Sequence, residues 1–148
     1  MNSLNRFSDP MYCLMRFLVG LLFACHGAQK MLGMFGGQGV AQGKMLIMGI
    51  VELGGLLIAI GLFTRVFAFL ASGGMAWAYF SVHFAGKTIK HPPPITPAEH
   101  FFPILNQGEP AVLFCLVFLF IFFYGAGRWS LDALIWGRSA SPSAAAAV

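Results

Sequence analysis

A single carboxylate, Glu52, lies near the middle of an apolar run, residues 45–63, that is long enough to cross a bilayer. Placing an ionised side chain in hydrocarbon costs about 2.5 to 3.5 kcal/mol even on lenient insertion scales. Such a group therefore faces other helices or water, and it has a partner. The side chains that can reach Glu52 are the first candidates for a functional site.

Ionisable side chains on the other apolar segments fall in the same half of the membrane as Glu52. His26 lies about seven residues before the end of the first segment, and Glu52 about seven residues after the start of the second. At about 1.5 Å per residue, both lie about 10 Å deep in one leaflet. His83 ends the third apolar segment in this leaflet, Glu109 begins the fourth, and Asn106 lies in the loop between them. The sequence therefore predicts a ligand or proton-handling pocket lined by His26, Glu52, His83, Asn106 and Glu109.

The same groups also have a purely structural interpretation, in which Glu52 pairs with His26 or with Lys30 and holds the helices together. Small residues alone let membrane helices associate, so a cluster of ionisable groups exceeds what adhesion requires. The sequence leaves both interpretations open. Histidines and carboxylates also suit a divalent metal ion. Because the sequence contains no HxxE, ExxH or HExxH spacing, we predict no metal site.

The amino-acid composition indicates that transmembrane helices position these ionisable side chains. The chain is 58% hydrophobic and only 9% charged, whereas about a quarter of the residues in a soluble domain are charged. The sequence therefore predicts an all-α membrane protein. At about 20 residues per span, the apolar runs form a bundle of four transmembrane helices. The predicted spans cover residues of about 11–33, 45–63, 66–84 and 110–127.

One membrane domain takes up residues 1–138 in this prediction, and the low-complexity tail, residues 139–148, is expected to be disordered. Only Thr64 and Arg65 separate the second span from the third, so these two spans must form a tight antiparallel hairpin. The longest polar segment, which is rich in proline, joins the third span to the fourth. A connection of this length is often a lid or a docking loop.

The distribution of charge constrains both partners and orientation. The formal net charge is +4, but the basic residues are scattered over loops and helix ends, which argues against nucleic-acid binding. With four spans, both termini lie on one side, where basic residues slightly outnumber those on the other. The positive-inside rule therefore favours cytoplasmic termini in a multi-pass protein. On that side, Arg16 and Asp132 are predicted to form a structural ion pair between the first and last helices.

The cysteines have no pattern typical of a redox centre. Cys13, Cys25 and Cys115 form no CxxC pair, and the chain has no haem motif or dinucleotide fingerprint, so no cofactor is predicted within the chain itself. An alternative interpretation takes the first span as a lipoprotein signal that ends at Cys25. Phe23 is unsuitable just before such a cleavage site, and we therefore prefer the transmembrane interpretation.

Several motifs, taken in order, resemble the DoxX family of small bacterial membrane proteins over nearly the whole chain. His26 and the long proline-rich loop depart from the family pattern. The resemblance implies a four-helix membrane bundle in the bacterial inner membrane. The motifs are Arg16-Phe17 followed by HGAQKMLGMFGG at 26–37, VELGGLLIAIGLFTR at 51–65, the third helix to Val82-His83, NQGE at 106–109 and GAGRWSLD at 125–132. The family-pattern positions that the resemblance carries over are Arg16, Glu52, His83, Glu109 and Asp132.

Relatives in this family include a subunit of thiosulfate:quinone oxidoreductase and components of oxidative-stress systems. The resemblance therefore implies a redox-linked membrane subunit that binds a quinone or a similar small molecule, with electrons supplied by a soluble or membrane partner protein. Protonated histidine or a neutral carboxylic acid can donate a hydrogen bond to a quinone oxygen. Two alternatives remain open: a small transporter or proton-coupled permease, and a noncatalytic scaffold that recruits soluble oxidoreductases through the loop at 91–110.

Overall fold

A computed structural model of the chain describes residues 5–37, 39, 43–87 and 96–137. The described residues are helical and include no β-strand. A turn of 3-10 helix lies on either side of the first α-helix, and a π-helical turn, Tyr79–His83, extends the fourth. The α-helices are α1 (Ser8–Leu32), α2 (Lys44–Leu53), α3 (Gly55–Ile60), α4 (Thr64–Ala78), α5 (Pro97–Phe101), α6 (Glu109–Tyr124) and α7 (Leu131–Ile135).

The second predicted span consists of two consecutive helices, α2 and α3, separated at Gly54. This glycine keeps helical dihedral angles, φ −57° and ψ −15°, and its amide donates to Ile50 O at 3.0 Å. A Cβ at position 54 would lie 2.6 Å from Cδ1 of Phe67 on α4. Because residue 54 has no side chain, the Phe67 ring of α4 packs directly against α2 and α3, which together form one rod.

Two helical segments are long and apolar enough to cross a membrane, Asn5–Leu32 and Thr64–His83. A third apolar helix, α6, is shorter, with 16 residues. These features are those of a helical membrane protein. The predicted tail, residues 139–148, lies outside the described residues.

The bundle core forms where aromatic and aliphatic side chains of α1, α3 and α6 meet. α1 packs along α2 and α3, and α4 packs along α6. The ring of Phe23 on α1 closes the remaining side of the bundle, because its centroid lies 4.7 Å from that of Phe118 and 5.6 Å from that of Phe114 on α6. Phe23, Phe118, Ile58 and Ile121 are fully buried. Many other leucine and phenylalanine side chains point outward, as expected for helices that face lipid.

Glycines bring the backbone of α1 into direct contact with α2 and α3. A Cβ at Gly20 would lie 2.6 Å from the carbonyl oxygen of Gly55, and a Cβ at Gly55 would collide with the carbonyl oxygen of Gly20. Neither position has room for a methyl group unless a backbone moves. Small residues at such contacts let membrane helices approach closely and gain van der Waals attraction.

Replacing Gly20 by alanine is expected to lower the free energy of unfolding by about 1–3 kcal/mol, the usual effect of overpacking. Gly73 on α4 is the matched control, because a Cβ there meets no atom within 4 Å. Gly73→Ala is expected to be neutral or slightly stabilising. Denaturant unfolding of both variants in detergent micelles measures the difference. Equal stability of the two variants would contradict the close contact between Gly20 and Gly55.

Candidate functional site

Glu52 forms a buried ion pair with Lys30 between α1 and α2. Only 2% of the Glu52 side chain is exposed, and its Oε1 accepts a hydrogen bond from Nζ of Lys30. A Cβ at Gly27, one turn before Lys30, would lie 2.6 Å from the amide nitrogen of Leu53. The absence of a side chain at Gly27 therefore lets the two helices approach until the lysine reaches the carboxylate.

The second carboxylate oxygen of Glu52, Oε2, is buried and has no hydrogen-bond partner among the described residues. An acceptor without a partner in a medium of low dielectric constant is unfavourable. It gains stability from a proton or from a hydroxyl donor. The surrounding protein covers this oxygen, so a ligand reaches it only after a neighbouring side chain moves.

His26 lies away from Glu52, on the exposed side of α1. Its ring stands edge-on to that of Phe114 on α6, with 6.0 Å between the centroids. The next residue, Gly27, is the one that faces α2. Because successive helical residues differ by about 100° around the axis, His26 points elsewhere, and its described contacts do not include Glu52.

His83 and Asn106 meet at the far end of α4. His83 Nδ1 donates to the carbonyl oxygen of Asn106 at 3.0 Å. Asn106 is fully buried; its amide nitrogen donates to His100 O at 2.8 Å, and its side-chain oxygen accepts from Gly108 N at 2.9 Å. These bonds fix the conformation of the chain just before α6.

Two hydrogen bonds from histidines join the end of α4 to the segment before α6, which here means residues 96–106. His83 of the π-helical turn donates to a carbonyl of the segment, and His100 of the segment donates from Nδ1 to the carbonyl oxygen of Phe84 at 2.8 Å. Tyr79 adds a third bond, from its hydroxyl to Phe101 O at 2.9 Å. The wider turn of a π-helix, which often occurs at functional sites, places both Tyr79 and His83 against the segment.

Glu109 is exposed in the first turn of α6. A carboxylate there is stabilised by the positive end of the helix dipole. It makes no ion pair or side-chain hydrogen bond with another described residue.

The structure therefore divides the predicted pocket. Glu52 contacts Lys30, and His83 contacts Asn106, but no described contact connects these two pairs. His26 and Glu109 belong to neither pair. Lys30, a secondary candidate in the sequence, proves to be the direct partner of Glu52.

Arg16 is buried at the other end of the bundle, where 2% of it is exposed. Its Nη1 donates to the carbonyl oxygens of Ile58 and of Ala59, the latter at 2.9 Å, and its Nη2 donates to Trp129 O at 2.8 Å. Ile58 and Ala59 belong to the last turn of α3, whose carbonyls carry the negative end of the helix dipole. The guanidinium therefore caps the carboxyl end of α3.

Asp132 caps the next helix. Its two carboxylate oxygens accept from the amides of Phe63 at 2.7 Å and Thr64 at 2.9 Å, at the amino end of α4, where a negative charge is favourable. Phe63 has a left-handed φ of 49°, which is strained for a non-glycine residue. The bond from its amide to Asp132 helps to hold it there.

The predicted ion pair between Arg16 and Asp132 is not formed. Both residues bind the backbone around the same turn, residues 61–63. The arginine binds carbonyls that precede the turn, and the aspartate binds the amides of its last residue and of the first residue of α4. The unpaired backbone groups at two adjoining helix ends attract opposite charges. Arg16 and Asp132 therefore bond to backbone groups and not to each other.

An apolar groove of about 410 Å³ lies between α2 and α4. Lys44 and Trp77 are the lining residues with polar groups, and a Cβ at Gly73 would meet no atom within 4 Å. Met48 lines this groove one helical turn before Glu52. The volume falls within the range of small-molecule sites, about 300–1,000 Å³. The remaining lining residues are Ile47, Val51 and Gly74.

The helices and the buried charges describe a small, all-helical, membrane-associated protein. The family model for DoxX matches residues 11–84, which include both Arg16 and Glu52. An uncharacterized protein of Haemophilus influenzae is 40% identical over 138 residues, which cover 89% of this chain and 96% of that relative. The chain therefore belongs to the DoxX family. No solved structure matches it.

Proposed function

We propose that this protein is an integral subunit of a redox or oxidative-stress system in the bacterial inner membrane, and that it binds a quinone or a similar small molecule. The proposal rests on the buried Glu52, whose second oxygen lacks a hydrogen-bond partner among the described residues. An apolar groove is lined by Met48 and Val51 of the same helix. Ionisable groups within membrane helices commonly mark ligand or proton pathways. A quinol hydroxyl is a donor that suits this oxygen.

Four spans account for the apolar segments in this proposal. α1 and α4, with its π-helical extension, have the required length, while α6 and the rod of α2 and α3 are somewhat shorter. Short hydrophobic helices are accommodated when the bilayer thins or flanking residues reach outward to the interface. Both termini lie on the cytoplasmic side. This arrangement places Glu52 and Lys30 within the membrane, where an apolar ligand arrives directly from the lipid.

In this proposal the ligand enters the groove between α2 and α4, which Met48 lines one helical turn before Glu52. A flat, apolar ring packs beside Gly73, and the side chains of Trp77 and Lys44, which also line the groove, supply donors for quinone oxygens. The flexible side chain of Met48 moves aside so that the ligand reaches Glu52. Reduction of a quinone to a quinol takes up two electrons and two protons. The Glu52–Lys30 pair relays the protons, and a partner oxidoreductase supplies the electrons.

Equilibrium binding of a short-chain benzoquinol, kept reduced under anaerobic conditions, to the protein in nanodiscs tests this proposal. Glu52→Gln is expected to weaken quinol binding about tenfold, because the quinol hydroxyl loses a charged hydrogen-bond acceptor. Gly73→Leu fills the groove without a backbone clash and is expected to abolish binding. His26→Ala is the control, since its ring lies outside this site, and it is expected to bind as the wild type does.

Two results would contradict the proposal. The first is that the folded wild-type protein binds no quinol. The second is saturable binding that neither Glu52→Gln nor Gly73→Leu changes, which would place a quinone elsewhere on the protein. Uptake of a small molecule into vesicles by the protein alone, without quinone binding, would favour a transporter.

A further inference from the structure

The segment that precedes α6 turns its apolar side chains outward. Phe101 and Ile104 are 64% and 70% exposed, and Phe102 and Leu105 are about half exposed. In water, each such side chain forgoes about 1.5–3 kcal/mol that burial would provide. Four of them in five successive positions, 101–105, form a patch that soluble surfaces rarely carry.

The polar groups of the same segment point inward. His100, the side chain of Asn106 and the carbonyl of Phe101 all bond to the end of α4 or within the segment. The short helix α5 is closed at its amino end by a capping box of Thr96 and Glu99. The segment is therefore ordered by its own hydrogen bonds, with the apolar face directed away from the bundle.

This apolar face continues the outer surface of α4. Phe80 and Phe84, at the end of that helix and its extension, are exposed on the outside of the bundle. The ring of Phe84 lies against His100, with centroids 6.4 Å apart, so the two surfaces adjoin. Beyond Phe84, Lys87 is exposed, and a lysine at the end of a membrane helix can extend its ammonium to the lipid headgroups. The exposed apolar side chains at the end of α4 thus adjoin those of the segment.

We infer that the segment from α5 to Leu105 lies in the boundary between lipid headgroups and acyl chains, with Phe101, Phe102, Ile104 and Leu105 inserted into the bilayer. Aromatic and aliphatic residues on one side of a short ordered segment, with its polar groups satisfied on the other, are what interfacial binding requires. The partner of this surface is lipid. The segment is a membrane-immersed cover over the His83–Asn106 bonds, and it presents no free apolar face to soluble proteins.

Spin labels in nanodiscs test the depth of the segment directly. The three native cysteines are replaced by alanine, and a label is attached at Ile104→Cys or, as a reference near the headgroups, at Lys87→Cys. Oxygen concentrates in lipid, and a charged nickel chelate stays in water. The label at position 104 is expected to lose nickel-chelate relaxation relative to position 87 and to gain oxygen relaxation. Equal nickel accessibility at the two positions would overturn the inference.

A second measurement keeps the test independent of cysteine replacement. Phe102→Trp is introduced after Trp77, Trp129 and Trp136 are changed to phenylalanine, and the protein is placed in phosphatidylcholine vesicles with bromine on the acyl chains. Fluorescence from position 102 is expected to be quenched strongly compared with vesicles of unbrominated lipid. Unquenched fluorescence from a helical, correctly inserted protein would show that the segment projects into water, as a docking surface for a soluble protein would.

Discussion

Replacing Arg16 by methionine is expected to lower the free energy of unfolding by about 2–5 kcal/mol, because each buried acceptor that loses its donor costs about 1–3 kcal/mol. The guanidinium binds three carbonyl oxygens, those of Ile58, Ala59 and Trp129. Methionine fills part of the volume but donates no hydrogen bond. The carbonyls of Ala59 and Trp129 then lose this donor, while that of Ile58 keeps the amide of Gly61. The end of α3 thus loses its charged cap.

The control for this change is Arg128→Met. Arg128 is largely exposed, and its 3.4 Å contact with Asp9 is a surface ion pair, which contributes about 0–1 kcal/mol. Arg16→Lys is expected to fall between the two, because a single ammonium cannot span the three carbonyls that the planar fork reaches. Steric trapping or denaturant titration in micelles gives the three values. A loss of less than about 1 kcal/mol for Arg16→Met would contradict its role as a cap.

Replacing Lys30 by methionine is expected to have an effect of similar size, about 3–5 kcal/mol. It leaves the buried carboxylate of Glu52 without its cation, between two helices that glycines hold in close contact. The protein must then protonate the carboxylate or separate α1 from α2. Unfolding of the variant in micelles at neutral pH measures the loss.

A double variant isolates the interaction itself. When Glu52→Gln accompanies Lys30→Met, no buried charge remains, and most of the lost stability is expected to return. The coupling free energy from the four proteins then measures the pair. If the two substitutions are additive, Lys30 and Glu52 do not interact in the folded protein, and the pairing between α1 and α2 is wrong.

Hydrophobic pattern and composition are sufficient to predict the all-helical architecture and an interior position for Glu52. A carboxylate within an apolar run avoids lipid by facing other helices, and the Glu52 side chain is buried. The division of the second span at Gly54 is less predictable, because it depends on Phe67 of another helix packing against the glycine. Relative depth along the helices placed His26 near Glu52, but depth says nothing about which face of α1 a side chain occupies. The neighbouring Gly27 was the sequence signal for the face of α1 that contacts α2.

The arrangement at Arg16 and Asp132 shows a different limit. The sequence indicated that both residues lie at one end of the bundle, and opposite charges suggested a pair. Their true partners are backbone groups at the helix ends next to residues 61–63. Every helix end exposes such groups, so a sequence pattern does not reveal which of them a charge will reach. Gly61 was the available clue: its φ is +75°, and a Cβ there would lie 2.7 Å from Nη1 of Arg16.

The proposed role of Glu52 is tested most directly by the infrared difference spectrum recorded when a short-chain quinol is added to the protein in nanodiscs. A hydrogen bond to Oε2, or transfer of a proton to it, changes the carboxylate stretching bands. Difference bands in this region are expected for the wild type and for His26→Ala, and they are expected to be absent for Glu52→Gln. Identical spectra for the wild type and Glu52→Gln, under conditions where the quinol binds, would contradict it.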